Sequence, residues 1–115
     1  MKIETIKELF DKTHEFNLYE KLVAQIQKDF ILANIEPFIP ESISANALQS
    51  LIQEKLYVLL LEKFDNYLNV LYIIDIPEKS LKEINTVDVV EVSKKVAFLV
   101  LKREFQKVWF KSQYA

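Results

Sequence analysis

The sequence predicts an all-α protein, an elongated bundle of about four main helices in a single domain over residues 1–115. Three observations predict it. Apolar residues recur every three or four positions along most of the chain, which is the period of an amphipathic helix. Glycine is absent, so the tight turns of small sheets lack the residue that suits them best. Half of the residues are hydrophobic, enough to fill the core of one domain of this size.

The first two helices are predicted over residues 3–14 and from residue 18 to about residue 33. Asn17 followed by Glu20 has the spacing of an N-cap and its N3 partner, so the second helix is expected to begin at Leu18. The second helix has one apolar stripe, formed by Leu18, Tyr19, Leu22, Val23, Ile26, Phe30 and Ala33. A continuous bent helix through Asn17 is the alternative, and both interpretations are helical.

Residues 35–42 contain two of the three prolines and form the clearest predicted loop, with Phe38 and Ile39 lying across the bundle surface. Ser44 then caps a third helix that runs to about Asp75. Its apolar seam is predicted at Leu56, Leu60, Phe64, Tyr67, Leu71 and Ile74. Such a helix is about 45 Å long, longer than a compact domain of this size, so the bundle is elongated or the helix kinks.

Pro77 ends the third helix and is followed by a short helical turn over residues 78–84. Asn85 or Thr86 is predicted to cap a last helix over residues 87–112. The valines at its start suit a strand, but the helical spacing of apolar residues continues through the whole segment, which favours a helix. The core is predicted to include Leu60, Phe64, Leu71, Ala97 and Leu101.

The charge distribution favours neither nucleic acid nor membrane as a partner. The net charge is −2, but residues 94–115 hold six cations and one acid, a net +5, whereas residues 1–93 carry −7. Such asymmetry affects association more than fold. The most apolar stretch, residues 56–76, is interrupted near its middle by Glu62, Lys63 and Asp65, so no membrane span is expected. The N-terminus does not resemble a secretory signal, and a cytoplasmic location is expected.

Several kinds of chemistry are excluded by composition. Without glycine and cysteine there is no phosphate-binding glycine loop, nucleophile elbow or thiolate site. The single histidine, His14, follows Asp11 at a metal half-site spacing, but a second copy of that motif is missing. Two carboxylate pairs are interpreted as solvated helix faces: Glu62 with Asp65, and Asp88 with Glu91. We therefore expect no catalytic residue, no metal and no cofactor, and a protein that is not an enzyme.

Basic and aromatic residues alternate near the C-terminus. The candidate partner-binding residues in this segment are Lys102, Phe105, Lys107, Trp109 and Phe110. A central core helix covered by lysine stems is one interpretation, and a contact with a second copy or another protein is the other. Because the three aromatic rings project in different directions, at least one should stay exposed. We therefore predict a non-enzymatic, self-associating homodimer whose lysines meet the acidic part of the second copy.

A pocket beside Tyr57, Tyr67 and Tyr72 is the alternative function, a small-molecule-binding or catalytic bundle. Tyrosines at bundle edges bury their rings and keep the hydroxyl in water, but aromatic pockets between helices also occur. A cavity lined by the three tyrosines, with Glu62 facing inward, would favour this alternative. A flat apolar two-fold patch would favour the homodimer.

Two segments, LYIIDIPE at residues 71–78 and KREFQKVWF at residues 102–110, resemble small uncharacterised helical proteins from bacteria. The resemblance covers the C-terminal half of the chain. It implies an all-helical, bacterial, cytoplasmic protein and brings no known activity. Lysine outnumbers arginine 14 to 1, which is typical of AT-rich coding and agrees with a bacterial source.

Overall fold

The computed structural model describes residues 2–114, and all regular secondary structure in that range is helical. Six helices follow one another: α1 (Ile6–Glu15), α2 (Tyr19–Leu32), α3 (Ala45–Glu62), α4 (Phe64–Ile74), α5 (Glu78–Lys82) and α6 (Val89–Tyr114). The all-α prediction is confirmed. The predicted elongation is wrong, because the principal extents are 36 × 29 × 25 Å. The radius of gyration, 13.4 Å, is close to the ~13 Å of a compact chain of this length.

A break at Lys63 explains why the protein is less elongated than predicted. The backbone leaves the helical region there, with φ −142° and ψ 66°, so the single third helix predicted by the sequence is two helices. The second alternative given by the sequence, a kink in the third helix, is confirmed. Glu62 and Phe64 lie in different helices on either side of the break, and one non-helical residue is enough to shift the helical phase.

The phase shift changes which residues face the core. Phe64 is 53% exposed, so its predicted place in the core is wrong, and Leu60 is only partly buried. Leu59 is buried instead. The remaining seam residues are buried as predicted, namely Leu56, Tyr67, Leu71 and Ile74. The predicted core positions in the last helix, Ala97 and Leu101, are also buried.

Helix α6 is the central element of the fold. It contacts α1, α2, α3 and α4, which confirms the interpretation of a central core helix. It begins at Val89 because the Asp88 carboxylate accepts a hydrogen bond from Glu91 N at 3.1 Å, so neither Asn85 nor Thr86 is the cap. Within residues 2–114, no helix combines the length and the apolar character that crossing a bilayer requires.

Asparagine and aspartate take the position that glycine usually occupies where helices end. Asn17, Asn34 and Asp75 have φ values of 56°, 67° and 68°, the left-handed conformation of a Schellman motif. In each case the next N–H donates to a carbonyl five residues earlier: Leu18 to Thr13 at 2.8 Å, Ile35 to Phe30 at 2.9 Å, and Ile76 to Leu71 at 3.2 Å. Asn17 therefore ends α1, and its predicted role as the N-cap of α2 is wrong.

The proline-containing loop lies across the bundle, as predicted. Ile39 is buried, and the half-buried Phe38 ring packs against Phe30 with centroids 5.2 Å apart. Lys55 Nζ lies 5.2 Å from the centre of the Phe38 ring. Gln27 fixes the loop backbone, because its side chain accepts from Phe38 N and donates to the Ile39 carbonyl, both at 3.4 Å.

The corrected core can be tested by truncation on the two sides of the break. Leu59→Ala should lower the free energy of unfolding by about 2–5 kcal/mol because it empties a buried site. Phe64→Ala should cost about 1 kcal/mol or less, since half of the ring is already in solvent. Urea denaturation of both variants measures the difference. Equal losses would contradict the position of the break.

The left-handed cap at Asn34 can be tested with a matched pair of substitutions. Asn34→Val should destabilise the protein by about 1–2 kcal/mol, because a β-branched residue is strained at positive φ. Asn34→Gly should change stability by only a few tenths of a kcal/mol, about the size of a typical surface substitution. Thermal denaturation followed by circular dichroism is the measurement. Tolerance of valine would mean that residue 34 is not left-handed in solution.

Candidate functional site

The five candidate partner-binding residues all line one cavity on α6. The cavity has a volume of about 480 Å³, and we refer to it as the α6 cavity. Its lining is completed by Ile3, Arg103, Gln106 and Lys111. The structure therefore brings together the residues that the sequence singled out, but it places them in different environments.

The three aromatic residues differ in exposure. Phe105 is buried, with 2% of its surface exposed, and Trp109 is partly buried against the core. The Trp109 indole Nε1 is out of reach of solvent and has no acceptor among the described residues. Phe110 is 58% exposed and its ring centroid lies 4.7 Å from that of Tyr114. The expectation that one of the three rings stays exposed is confirmed by Phe110.

Lys107 takes part in a buried cluster between α2 and α6, the carboxyl cluster of Asp29, Glu104 and Lys107. Lys107 Nζ lies 2.9 Å from Asp29 Oδ2 and 3.2 Å from Glu104 Oε1. Gln25 donates to Asp29 Oδ1 at 3.1 Å. Asp29 is 4% exposed and Glu104 is fully buried. The charge of Lys107 is therefore used inside the protein, and its stem lines the cavity.

The two carboxyl groups of this cluster have opposite pKa shifts. Burial raises the pKa of Glu104 to about 9, and the neighbouring Asp29 adds to the rise against the effect of Lys107. Burial also raises the pKa of Asp29, but interactions with the protonated Glu104, Lys107 and Gln25 outweigh it, and the net pKa is lowered. At neutral pH the cluster holds one anion, one cation and one neutral acid, which avoids a buried uncompensated charge.

The other cations around the α6 cavity differ in how far they are neutralised. Arg103 donates to the Asp75 carbonyl at 3.0 Å and lies 3.3 Å from its carboxylate. Lys111 Nζ donates to the amide oxygen of Gln25 at 2.8 Å, and Lys102 Nζ lies 6.0 Å from the centre of the Phe98 ring. Part of the charge asymmetry along the sequence is thus compensated within one chain, by Asp29 and Asp75.

The structure does not bring the three tyrosines of the alternative function into one pocket. Tyr57 lines a groove of about 340 Å³ with residues of α3 and α6, and neither Tyr67 nor Tyr72 lines that groove. Tyr67 is buried at 6% exposure, whereas Tyr72 is 83% exposed. Glu62, which would face inward in such a pocket, is exposed.

Asp11 and His14 have separate partners. The Asp11 carboxylate accepts from Lys7 Nζ at 2.7 Å, and His14 Nδ1 lies 2.7 Å from the Phe10 carbonyl. The His14 ring stacks on Tyr19 with centroids 5.3 Å apart. The described residues 2–114 include no group of three or more metal-ligating side chains placed to hold an ion.

Sequence reasoning missed an exposed apolar line on α3 and α4, the α3–α4 stripe. Its members are Tyr57, Leu61, Phe64, Leu68 and Tyr72, which are 37%, 54%, 53%, 47% and 83% exposed. Spacings of four within each helix place them on one face of α3 and one face of α4. The signal was present as a second apolar stripe beside the seam, and it was obscured because Phe64 was assigned to the core.

Comparison of the chain with known proteins gave no relative. No protein-family model, no curated protein and no solved structure matches it. Inference about function therefore rests on the geometry and chemistry of the side chains described above.

The carboxyl cluster predicts an unusual pH dependence of stability. Between pH 4.5 and about 9 the unfolded chain ionises Glu104 while the folded chain keeps its proton, so stability falls as pH rises, by up to about 1.4 kcal/mol per pH unit. Asp29 acts in the opposite sense: its lowered pKa stabilises the folded protein above the ordinary pKa of an aspartate, and this contribution is lost as the pH falls below that value. Urea unfolding at pH 5 and pH 8 measures the fall.

Glu104→Gln provides the test because the amide keeps the shape of the side chain and cannot ionise. The variant should lose most of the fall in stability between pH 5 and pH 8 and should be more stable than the parent at pH 8. Glu91→Gln, at an exposed position of the same helix, is the control and should retain the fall. Parallel pH profiles for the parent and Glu104→Gln would show that Glu104 is not protonated in the folded protein.

Proposed function

We propose that this protein is a non-enzymatic helical interaction module that associates with a second copy of itself through the α3–α4 stripe. The observation that carries the proposal is the exposure of five large apolar side chains along α3 and α4. A large exposed apolar area on a monomer commonly marks a contact site. The expected bacterial source and cytoplasmic location stay predictions from the sequence.

The size of the stripe fits a small two-fold interface. An aromatic side chain buries ~150–250 Å² when it is fully covered. The five side chains of the stripe, about half exposed, therefore offer on the order of 500 Å² of apolar surface. A standard interface buries about 800 Å² on each partner, with a polar rim around an apolar centre. The stripe supplies such a centre, and the exposed charged residues beside it supply the rim.

The charges beside the stripe suit contact with an identical surface. Glu62, Lys63 and Asp65 lie at the junction of α3 and α4, all three are exposed, and none forms an ion pair within residues 2–114. A two-fold axis near this junction would oppose Lys63 of one protomer to the acids of its partner. A patch that carries both signs beside its apolar centre is self-complementary, as an isologous contact requires.

The C-terminal segment is a weaker candidate for the same contact. Phe105 is buried and Lys107 is engaged in the carboxyl cluster, so two of its five predicted contact residues already have partners within the chain. Phe110 and Tyr114 are its main exposed rings. The two surfaces make different predictions, because each can be changed without touching the other.

Sedimentation velocity of the full chain tests the proposal. At about 100 µM, above the micromolar Kd of a weak small interface, the parent protein should sediment as a dimer. Leu61→Glu combined with Leu68→Glu should give a monomer, since it would bury charges at the centre of the contact without disturbing the core. Because the stripe is apolar, raising the salt concentration should leave the dimer largely intact.

Matched variants identify the surface. Val87→Glu, at a residue that is 98% exposed and outside α6, adds charge away from the stripe and should leave the dimer unchanged. Phe110→Glu should also leave it unchanged. A monomeric parent protein at this concentration would overturn self-association, and a dimer that only Phe110→Glu disrupts would place the contact on the C-terminal segment instead. Circular dichroism of every variant confirms that the fold is retained.

A further inference from the structure

We infer that the α6 cavity is a binding site for a small amphipathic anion, a single apolar chain or ring that carries one carboxylate or phosphate monoester. The site is separate from the α3–α4 stripe and does not depend on self-association. Its volume of about 480 Å³ lies within the ~300–1,000 Å³ of typical small-molecule pockets.

The lining of the cavity combines two kinds of side chain. Four are large and apolar: Ile3 and Phe105, which are almost fully buried, and Trp109 and Phe110, which are more exposed. Four are cationic: Lys102, Arg103, Lys107 and Lys111. The lining has no acidic residue, although acids outnumber bases in the chain as a whole. An apolar surface beside a cluster of one sign of charge is complementary to a ligand with an apolar body and an anionic head.

The cations differ in whether a carboxylate of the chain already pairs with them. Arg103 and Lys107 are positioned by Asp75 and by the carboxyl cluster. Among residues 2–114, Lys102 and Lys111 have no carboxylate within ion-pair distance. Both can therefore pair with an incoming anion without breaking an existing ion pair, and a hydrogen bond to a charged partner is stronger than one between neutral groups.

The shape of the site favours a small molecule over a macromolecule. Phe105 is buried and Trp109 is partly buried, and both line a cavity of about 480 Å³, the size of a small-molecule pocket. The cations are spread over about two and a half turns of one helix, from residue 102 to residue 111. A single anionic head group can contact one or two of them while the apolar body covers the rings.

Trp109 makes the proposal testable, because it is the only tryptophan of the chain and it lines the cavity. The full chain is titrated with decanoate, with decyl phosphate and with decan-1-ol, below their aggregation concentrations, and Trp109 fluorescence is followed. The two anions should give saturable changes with a one-to-one stoichiometry. Decanol, which has the same chain without the charge, should bind roughly tenfold more weakly.

Two lysine variants separate specific binding from general attraction. Lys102→Gln combined with Lys111→Gln should weaken decanoate roughly tenfold and leave decanol unchanged. Lys79→Gln combined with Lys95→Gln alters net charge equally, at exposed positions outside the cavity, and should have no effect. Equal affinity for decanoate and decanol, or equal weakening by both lysine pairs, would overturn the proposal.

The same titration in the Leu61→Glu and Leu68→Glu variant distinguishes this site from the α3–α4 stripe. Saturable decanoate binding that persists in the monomeric variant supports the cavity and is independent of self-association. Loss of binding there, or a stoichiometry well above one, would show that the ligand adsorbs on exposed apolar surface. A Trp109 response to an acidic aromatic peptide but not to decanoate would assign the cavity to a protein partner and overturn the small-molecule proposal.

Discussion

The position of α6 is the constraint on which the rest of the structure depends. It contacts each of α1, α2, α3 and α4, and its buried residues run from Ser93 to Val108, so a charged residue on that side of the helix lies in the core. Glu104 lies on a buried side, facing Asp29 of α2 across the carboxyl cluster. Lys107 makes this arrangement possible, because its ammonium group neutralises Asp29 while Glu104 keeps its proton. A buried ionised pair of acids in the same place would strongly destabilise the fold.

Lys107 also connects the core to the surface. Its ammonium group belongs to the carboxyl cluster, and the side chain lines the α6 cavity. The cavity therefore rests on a side chain that is fixed by interactions between helices, in contrast to the exposed lysines of α5 or the first turns of α6. A binding surface built on such a fixed side chain loses less conformational entropy when it is occupied than one built on mobile side chains. The α3–α4 stripe, by comparison, consists of side chains that are between 37% and 83% exposed.

The helical fold could be predicted because the spacing of apolar residues extends through nearly every element. The break at Lys63 could not, since neither proline nor glycine marks it, and the seam on both sides is continuous in sequence. That single residue explains the errors at Phe64 and in the overall shape. Five residues that line the α6 cavity could be predicted from alternating lysine and aromatic residues, but as a contact surface and not as a cavity. Glu104 was missed as a buried group, although its spacing of four from Val100 and Val108, both buried, is the signal that would have found it.

The left-handed caps have a consequence for the unfolded chain. Glycine loses more backbone freedom on folding than any other residue, and this chain ends three helices at positive φ without using one. Asparagine and aspartate accept a small local strain at these three turns, while the disordered ensemble is narrower than it would be with glycine in the same places. The residues at these helix ends thus favour the native state partly because they lower the conformational entropy of the unfolded chain.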